Sequence, residues 1–508
     1  MFFTSCSWWE FAAVLRISRS ADIAALLVLF VFAFTGNIRV NGEDFDFQSV
    51  SGGHNSQRSD GTLFRFGGSS PLDIAIRRAT RRQQVKPLGQ APEQRPELVA
   101  LGQMLFFDRI LSGNGDTSCA TCHHPLFGTG DELALSVGTG PENPGALSLF
   151  RIKGVGRELI PRNAPELFNR GAPQWHSQFW DGRVAVDYNG FSSPAGELLP
   201  DGLDSVLAVQ AMFPVTSRDE MRGTAADSGA SFDYDGVTVV NNIAEFENGD
   251  LLAIWSALTA RLLGIPEYRS LFAAAYDVAD SDLESEIGFQ HAAKAIAAFE
   301  VSAFSFSDSP WDRYLAGDNG ALTTKQKQGA LLFYEDAGCS KCHSGTLMTD
   351  QTHHNLLVPE IGAGKVPGMH SDPGVSLITG KASDDYCFRT PPLRNVTATG
   401  PWFHNGAYNN LRDVIRHHAN PTRGFFAYDP EESLDQPELR EAVDVSASKF
   451  SQMMLTFSWD VLPRRHIKRN EVDALEDFLH ALAAPKLFQR MQRVIPENVP
   501  SGLPVDGQ

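Results

Sequence analysis

Two pentapeptides carry side chains whose types and spacing can do chemistry. Cys119-Ala-Thr-Cys122-His123 and Cys339-Ser-Lys-Cys342-His343 each set two thiols three residues apart, followed at once by an imidazole. Two thiols so spaced can add to the two vinyl groups of one haem, and the next residue then lies under the iron as a ligand. Zinc binding and dithiol redox chemistry are the competing readings. A paired zinc site wants its two Cys-x-x-Cys knuckles about 15–20 residues apart, whereas all of residues 123–338 lie between Cys122 and Cys339. A thioredoxin-like motif does not need the following histidine, and both copies have it. Each motif therefore reads as the covalent attachment site of one haem c, with His123 and His343 as proximal ligands.

The elements that must hold these motifs are helical. Leu98, Leu101, Met104 and Leu105 have helical spacing after Pro96. A second helix starts near Thr324, and Gly329-Ala-Leu-Leu-Phe-Tyr334 echoes Gly102-Gln-Met-Leu-Phe-Phe107. Each copy is followed within about twenty residues by a Cys-x-x-Cys-His motif, the pattern of an internally duplicated unit. Ser285–Phe304 reads as a long helix, and Ser309-Pro310-Trp311 breaks the chain after it. Val472, Leu475, Leu479 and Leu482 form a stripe on a terminal helix that Asn470 would cap. Strand-like runs are few, with Val237–Val240 the clearest. The fold expected is mainly α: two cytochrome c-like domains with long loops and few strands.

Five segments follow. Residues 1–42 read as a signal peptide or signal anchor, because Arg16 and Arg19 precede the short apolar run Ala21–Thr35. Both versions export the rest of the chain, and the periplasm is the expected compartment, with membrane anchoring the lesser reading. Residues 43–95, rich in Gly, Ser, Arg and Gln, are expected to be a flexible lead-in with regular structure starting at Pro96. Residues 96–308 and 309–490 are the two haem domains, and 491–508 is a tail. A net charge of −18 speaks against nucleic acid as a partner. Of six cysteines, four serve the motifs; Cys6 lies in the export segment and Cys387 reads as a small buried hydrophobe.

From about Pro96 to Leu482 the chain resembles the bacterial di-haem cytochrome c peroxidase and MauG family. The matching stretches are LGQMLFFDRILSGNGDTSCATCH, RNAPELFN, QFWDGR, Gln210 to Met221, FRTPPLRNVTATGPWFHNG and LRDVIRHH. Insertions relative to the family pattern fall near 140–160, 184–206 and 222–250. The resemblance implies that the haem on His123 is the peroxide site and the haem on His343 the electron site. It further implies a distal pocket of Gln210, Pro214 and Glu220, with Glu220 moving the proton between peroxide oxygens. Trp180 matches the tryptophan between the haems, and His404 a residue near a haem propionate. One Ca²⁺ is implied at Asn163, Thr399 and Pro401, through an Asn side chain and backbone carbonyls, an oxygen set that suits the ion.

Two departures from the pattern bear on function. Many family members carry a histidine that blocks the reactive iron; the matching position here is Thr139, and no histidine occurs between His124 and His176. An open reactive haem is expected, with His176 the first suspect should it prove blocked. The second axial ligand of the other haem, Met in most peroxidases and Tyr in MauG, corresponds to His418. His417, Met453 and Met454 stand as alternatives. The leading function is a periplasmic peroxidase reducing hydrogen peroxide to water with electrons from a small donor protein, a cytochrome c or cupredoxin. The alternatives are a MauG-like oxidase acting on a protein or organic substrate through a high-valent iron state, and a non-enzymatic electron-transfer cytochrome. A homodimer is what the resemblance suggests.

Overall fold

The computed structural model describes residues 70–507, apart from 363 and 367–370. The expected export segment, Cys6 and the start of the lead-in lie outside the described residues. Six helices carry the architecture: α1 Pro71–Arg82, α2 Pro96–Phe107, α3 Phe289–Ala303, α4 Thr324–Tyr334, α5 Leu411–Ala419 and α6 Arg469–His480. Short paired strands interrupt long loops, and Val237–Val240 pairs antiparallel with Ser231–Tyr234. No helix among the described residues is long and apolar enough to cross a membrane.

The echo between the two glycine-containing helices is one packing solution used twice. A Cβ on Gly102 of α2 would fall 1.8 Å from the Ala295 carbonyl oxygen of α3. A Cβ on Gly329 of α4 would fall 1.8 Å from the Ala474 carbonyl oxygen of α6. Only glycine lets the backbones approach so closely. Four residues on, one helical turn along each helix, Phe106 meets Phe299 with ring centroids 5.2 Å apart, and Phe333 meets Phe478 at 5.3 Å. Each buried ring contributes roughly 1.5–3 kcal/mol of hydrophobic stabilisation.

Two hydrophobic cores form around these pairs, within one compact unit of residues 67–508. A third apolar cluster joins them. Leu133, Leu135 and Leu159 pack with Val358, Tyr408 and Leu439. Across it the Gln436 side chain and the Leu135 backbone bond reciprocally, at 3.0 Å each way. Arg162, from the first half, is clamped by Asp181 at 2.5 Å and by Asp372 at 2.7 Å, all three buried.

The structure corrects several expectations. Among the described residues, regular structure is already present at Pro71, ahead of Pro96. The Ser70 side chain caps α1, Ile76 is buried in the second core, and Asp73 bonds Tyr314 Oη at 2.9 Å and Lys327 Nζ at 2.8 Å. The expected tail is core: Val499, Leu503 and Val505 pack into the first hydrophobic cluster, and Asp506 is fully buried. The helix expected over Ser285–Phe304 is split, because extended Gly288 caps a new start at Phe289 after the short Leu283–Glu286 turn. Lys468, not Asn470, stands at the cap of α6, where its backbone N–H donates to Glu471 at 2.7 Å.

Candidate active site

The first motif forms a single helical turn, Cys119–Cys122, closed by reciprocal bonds between Ser118 and Thr121. Its outer side is held from the far end of the chain. The Asp506 carboxylate accepts from Ser118 Oγ at 2.7 Å, Thr121 Oγ1 at 2.6 Å and Arg109 Nη2 at 2.5 Å. His123 donates Nδ1–H to the Thr129 carbonyl at 3.0 Å. Thr129 has φ +63°, strained for a β-branched residue. The bond fixes the tautomer and leaves the Nε2 lone pair as a ligand atom. Burial pulls the His123 pKa down to about 4, so the ring is neutral at pH 7.

His123, Cys119 and Cys122 line a cavity of about 1220 Å³ counting its mouth, together with Gln210, Pro214, Glu220 and Trp180. Glu220 lies on the Arg218–Arg222 turn, which starts at Ser217, whose Oγ accepts the Glu220 N–H. Burial raises the Glu220 pKa, Asp219 adds to the rise, and Lys365 and Arg183 oppose it. The turn is pinned by the segment around the 231–240 hairpin. Arg218 donates to the Ala244 and Phe246 carbonyls, and fully buried Arg222 to those of Phe246 and Glu247.

His123 is the one imidazole lining this cavity among the described residues. Thr139 is buried beside the distal turn, its N–H donating to the Asp219 carbonyl at 3.2 Å. His124 points away, with Nε2 on the Asp506 carbonyl and Nδ1 accepting the Leu126 N–H. His176 is exposed outside the cavity.

The second motif opens onto a cavity of about 1630 Å³ counting its mouth, lined by Cys339, Cys342, His343, His404, His418 and Met453. His343 Nδ1 bonds the Pro391 carbonyl at 3.1 Å. Helix α5 delivers His418 to the facing wall, with its Nδ1–H on the Val414 carbonyl at 2.8 Å. The two ring centroids lie 6.3 Å apart. Two metal–imidazole bonds of about 2 Å, with each ring centre about 1 Å beyond its nitrogen, span roughly 6 Å. Adjacent His417 is spent otherwise. Its Nε2–H donates to the Leu356 carbonyl at 2.8 Å and its Nδ1 accepts from Tyr408 Oη at 2.9 Å.

Both cavities suit a haem. Burial pushes the Cys119 and Cys339 thiols up to about 12, which disfavours the thiolates that a zinc site would need. Each wall also holds a buried polar atom with no protein partner: Glu300 Oε2 and Gln178 Nε2 in the first cavity, His404 Nε2 in the second. The His404 ring stacks on Phe388 at 3.4 Å.

Asn163, Pro165, Glu166 and Trp180 line both cavities and form the wall between them. The Trp180 indole N–H donates to the Asn163 carbonyl at 2.9 Å, and its own carbonyl accepts the Arg389 N–H at 2.8 Å. Asn163 Nδ2 donates to the Leu133 carbonyl at 2.8 Å, which leaves Oδ1 as an oxygen donor. Thr399 and Pro401 line the second cavity with Asn163. The ligand atoms of Cys342, Asp350 and His354 lie within 4.8 Å of one another, but a thioether at Cys342 takes that sulfur out of any metal site.

Sequence reasoning missed Glu300, Lys365 and Asp506. Glu300 was findable, as the one acid in the apolar run Ala292–Ala303. Lys365 and Asp506 reach their places by long-range folding and carry no local signal.

Residues 96–320 match the family model described as di-haem cytochrome c peroxidase. The methylamine utilization protein MauG of Methylorubrum extorquens is 30% identical over 355 residues, covering 69% of this chain and 76% of that protein. The cytochrome c551 peroxidase of Pseudomonas aeruginosa is 33% identical over 337 residues, covering 66% and 74%. A solved MauG-like protein associated with microbial copper homeostasis aligns with TM-score 0.52 at 25% identity, over 80% of this chain and 96% of that one.

Proposed function

Because the chain belongs to the di-haem cytochrome c peroxidase family, we propose that it reduces hydrogen peroxide to water with electrons from a small redox protein. The observation that carries this reading is the asymmetry of the two cavities. His123 shares its cavity with half-buried Glu220 and no second imidazole, while His343 faces His418. When bound, the two haems would supply redox-active iron, one held by His123 beside Glu220 and the other held by His343 and His418.

The residues supply the rest. Reduction of one hydrogen peroxide consumes two electrons and two protons. Glu220 takes the proton from one peroxide oxygen and returns it to the other, so that water leaves from the broken O–O bond. Gln210 and Pro214 shape the wall beside it. Trp180, in the wall shared by both cavities, gives electrons a route between sites. His404, with its unpartnered Nε2, would hold a haem propionate. Asn163 Oδ1 with the Thr399 and Pro401 carbonyls would hold one Ca²⁺. Export to the periplasm and a homodimer complete the reading.

A MauG-like oxidation of a protein or organic substrate is the second reading. A histidine at 418 favours it, since a bis-His haem has a lower potential than a His/Met haem and is harder for a high-potential donor to keep reduced. Titrating the oxidised holoprotein with peroxide, followed by EPR and absorbance, tests both. The expected result is one high-spin and one low-spin haem, with peroxide consumed rapidly once a reduced cytochrome or cupredoxin is added. A long-lived oxidised species inert to such donors favours the oxidase. Two low-spin haems that ignore peroxide overturn both.

A further inference from the structure

The segment 455–469 is a thin wall over the second cavity. Val461, Pro463 and Ile467 line the cavity from this segment. Phe457 is buried beneath the segment, while Leu455 is 84% exposed and Trp459 65%, and Arg464, Arg465, His466, Lys468 and Arg469 are exposed as well. The wall is tied to the haem-attachment peptide itself. Lys341, between the two attachment cysteines, donates Nζ–H to the Asp460 carbonyl at 2.8 Å and the Leu462 carbonyl at 3.1 Å. The outer face of this segment is therefore solvent-exposed surface one residue away from the lining of the electron site.

Its charge runs against that of the molecule. The chain carries −18 overall, yet residues 464–469 hold four Lys or Arg and no Asp or Glu. Asp336 and Glu471 engage Arg465. Arg464, Lys468 and Arg469 remain, exposed on the same segment as the Trp459 indole, against one exposed acid, Asp460. Exposed aromatic and aliphatic side chains on one segment with exposed cationic ones have the composition of a transient protein interface. Opposite local charge orients an incoming partner and sets its on-rate.

We propose that this face docks the electron donor, and that the donor is a small redox protein with an acidic surface around its exposed redox centre. The proposal rests on the peroxidase reading for its physiological sense and names the class of donor that reading left open. A basic donor would be drawn to the rest of the negative surface and away from this face.

The test uses the holoprotein with two reduced probes, an acidic cupredoxin and a basic c-type cytochrome. Stopped-flow reduction of the His343 haem under nitrogen, without peroxide, reads docking alone. The double variant Arg464→Glu/Lys468→Glu should slow reduction by the acidic probe by about ten-fold or more, and leave or quicken reduction by the basic one. Trp459→Ser should slow the acidic probe with little change in its salt dependence. Reduction by a small neutral chemical reductant should be unchanged in all variants. Faster reduction of the wild type by the basic probe, or equal rates in wild type and double variant with the acidic probe, overturns the proposal. Peroxide turnover with the chemical reductant, measured separately, reads the peroxidase function, so failure of one is not mistaken for failure of the other.

Discussion

Each of the three proposed ligand histidines spends one ring nitrogen on a backbone carbonyl and lines a cavity: His123 on Thr129, His343 on Pro391, His418 on Val414. His417 spends both, which is why one of two adjacent histidines can serve. Replacing His418 with Met should keep the second haem low-spin and raise its reduction potential, read by optical titration, while His418→Gly should turn it high-spin. Unchanged spectra in both variants would return the ligand role to Met453, which is buried on the same cavity. Glu220 makes the second prediction. As a base it must be ionised, and burial has lifted its pKa above the ordinary glutamate value. The second-order rate with peroxide should therefore rise with pH through that raised pKa. Glu220→Gln should remove this limb and cost roughly 100- to 10,000-fold in rate. A variant that keeps the wild-type rate and profile assigns the proton to another group, with Glu300, raised to about 8 by burial, the next candidate.

At the scale of elements, the attachment motifs, the paired glycine helices and the 237–240 strand were legible because each is written in a few consecutive residues. Gly102 and Gly329 even marked the close crossings, although not their partners Ala295 and Ala474. What was illegible depends on distant contacts. Residues 71–82 look like polar lead-in until Ile76 and Asp73 find the second core. Residues 499–506 look like a tail until Asp506 meets Arg109 and the cap of the first motif. That buried ion pair makes the third prediction. Asp506→Ala strands the Arg109 guanidinium, which is 2% exposed, and should cost about 3–5 kcal/mol of stability. It also loosens the Ser118–Thr121 cap. Chemical denaturation should show the loss, and the haem spectrum of the His123 site should broaden before that of the His343 site. An Asp506→Ala protein as stable as wild type would mean that water reaches the pair.

For the whole molecule, function requires two unlike sites in one rigid frame. The Leu135–Gln436 bonds and the Arg162 clamp join the halves away from the cavities. The wall of Asn163, Pro165, Glu166 and Trp180 joins them at the cavities. The sequence could point to Trp180 only through its resemblance to a family motif, since an indole in a core is ordinary. Its place in a shared wall is a product of the assembled fold. If Trp180 carries electrons between the sites, Trp180→Phe should leave the first reaction with peroxide within about two-fold of wild type, because that step uses the His123 cavity alone. Donor-driven turnover should fall by about ten-fold or more, because both electrons delivered at the His343 site must cross the altered wall to reach peroxide. The phenylalanine keeps most of the packing and loses the indole N–H bond to Asn163. Loss of that bond costs about 1 kcal/mol of stability, too little to unfold the frame. Stopped-flow traces with peroxide alone, set beside steady-state rates with a reduced donor, separate the two effects. Equal losses in both would make Trp180 a packing residue of the first cavity, and no loss in either would route the electrons through Pro165 and the backbone beside it.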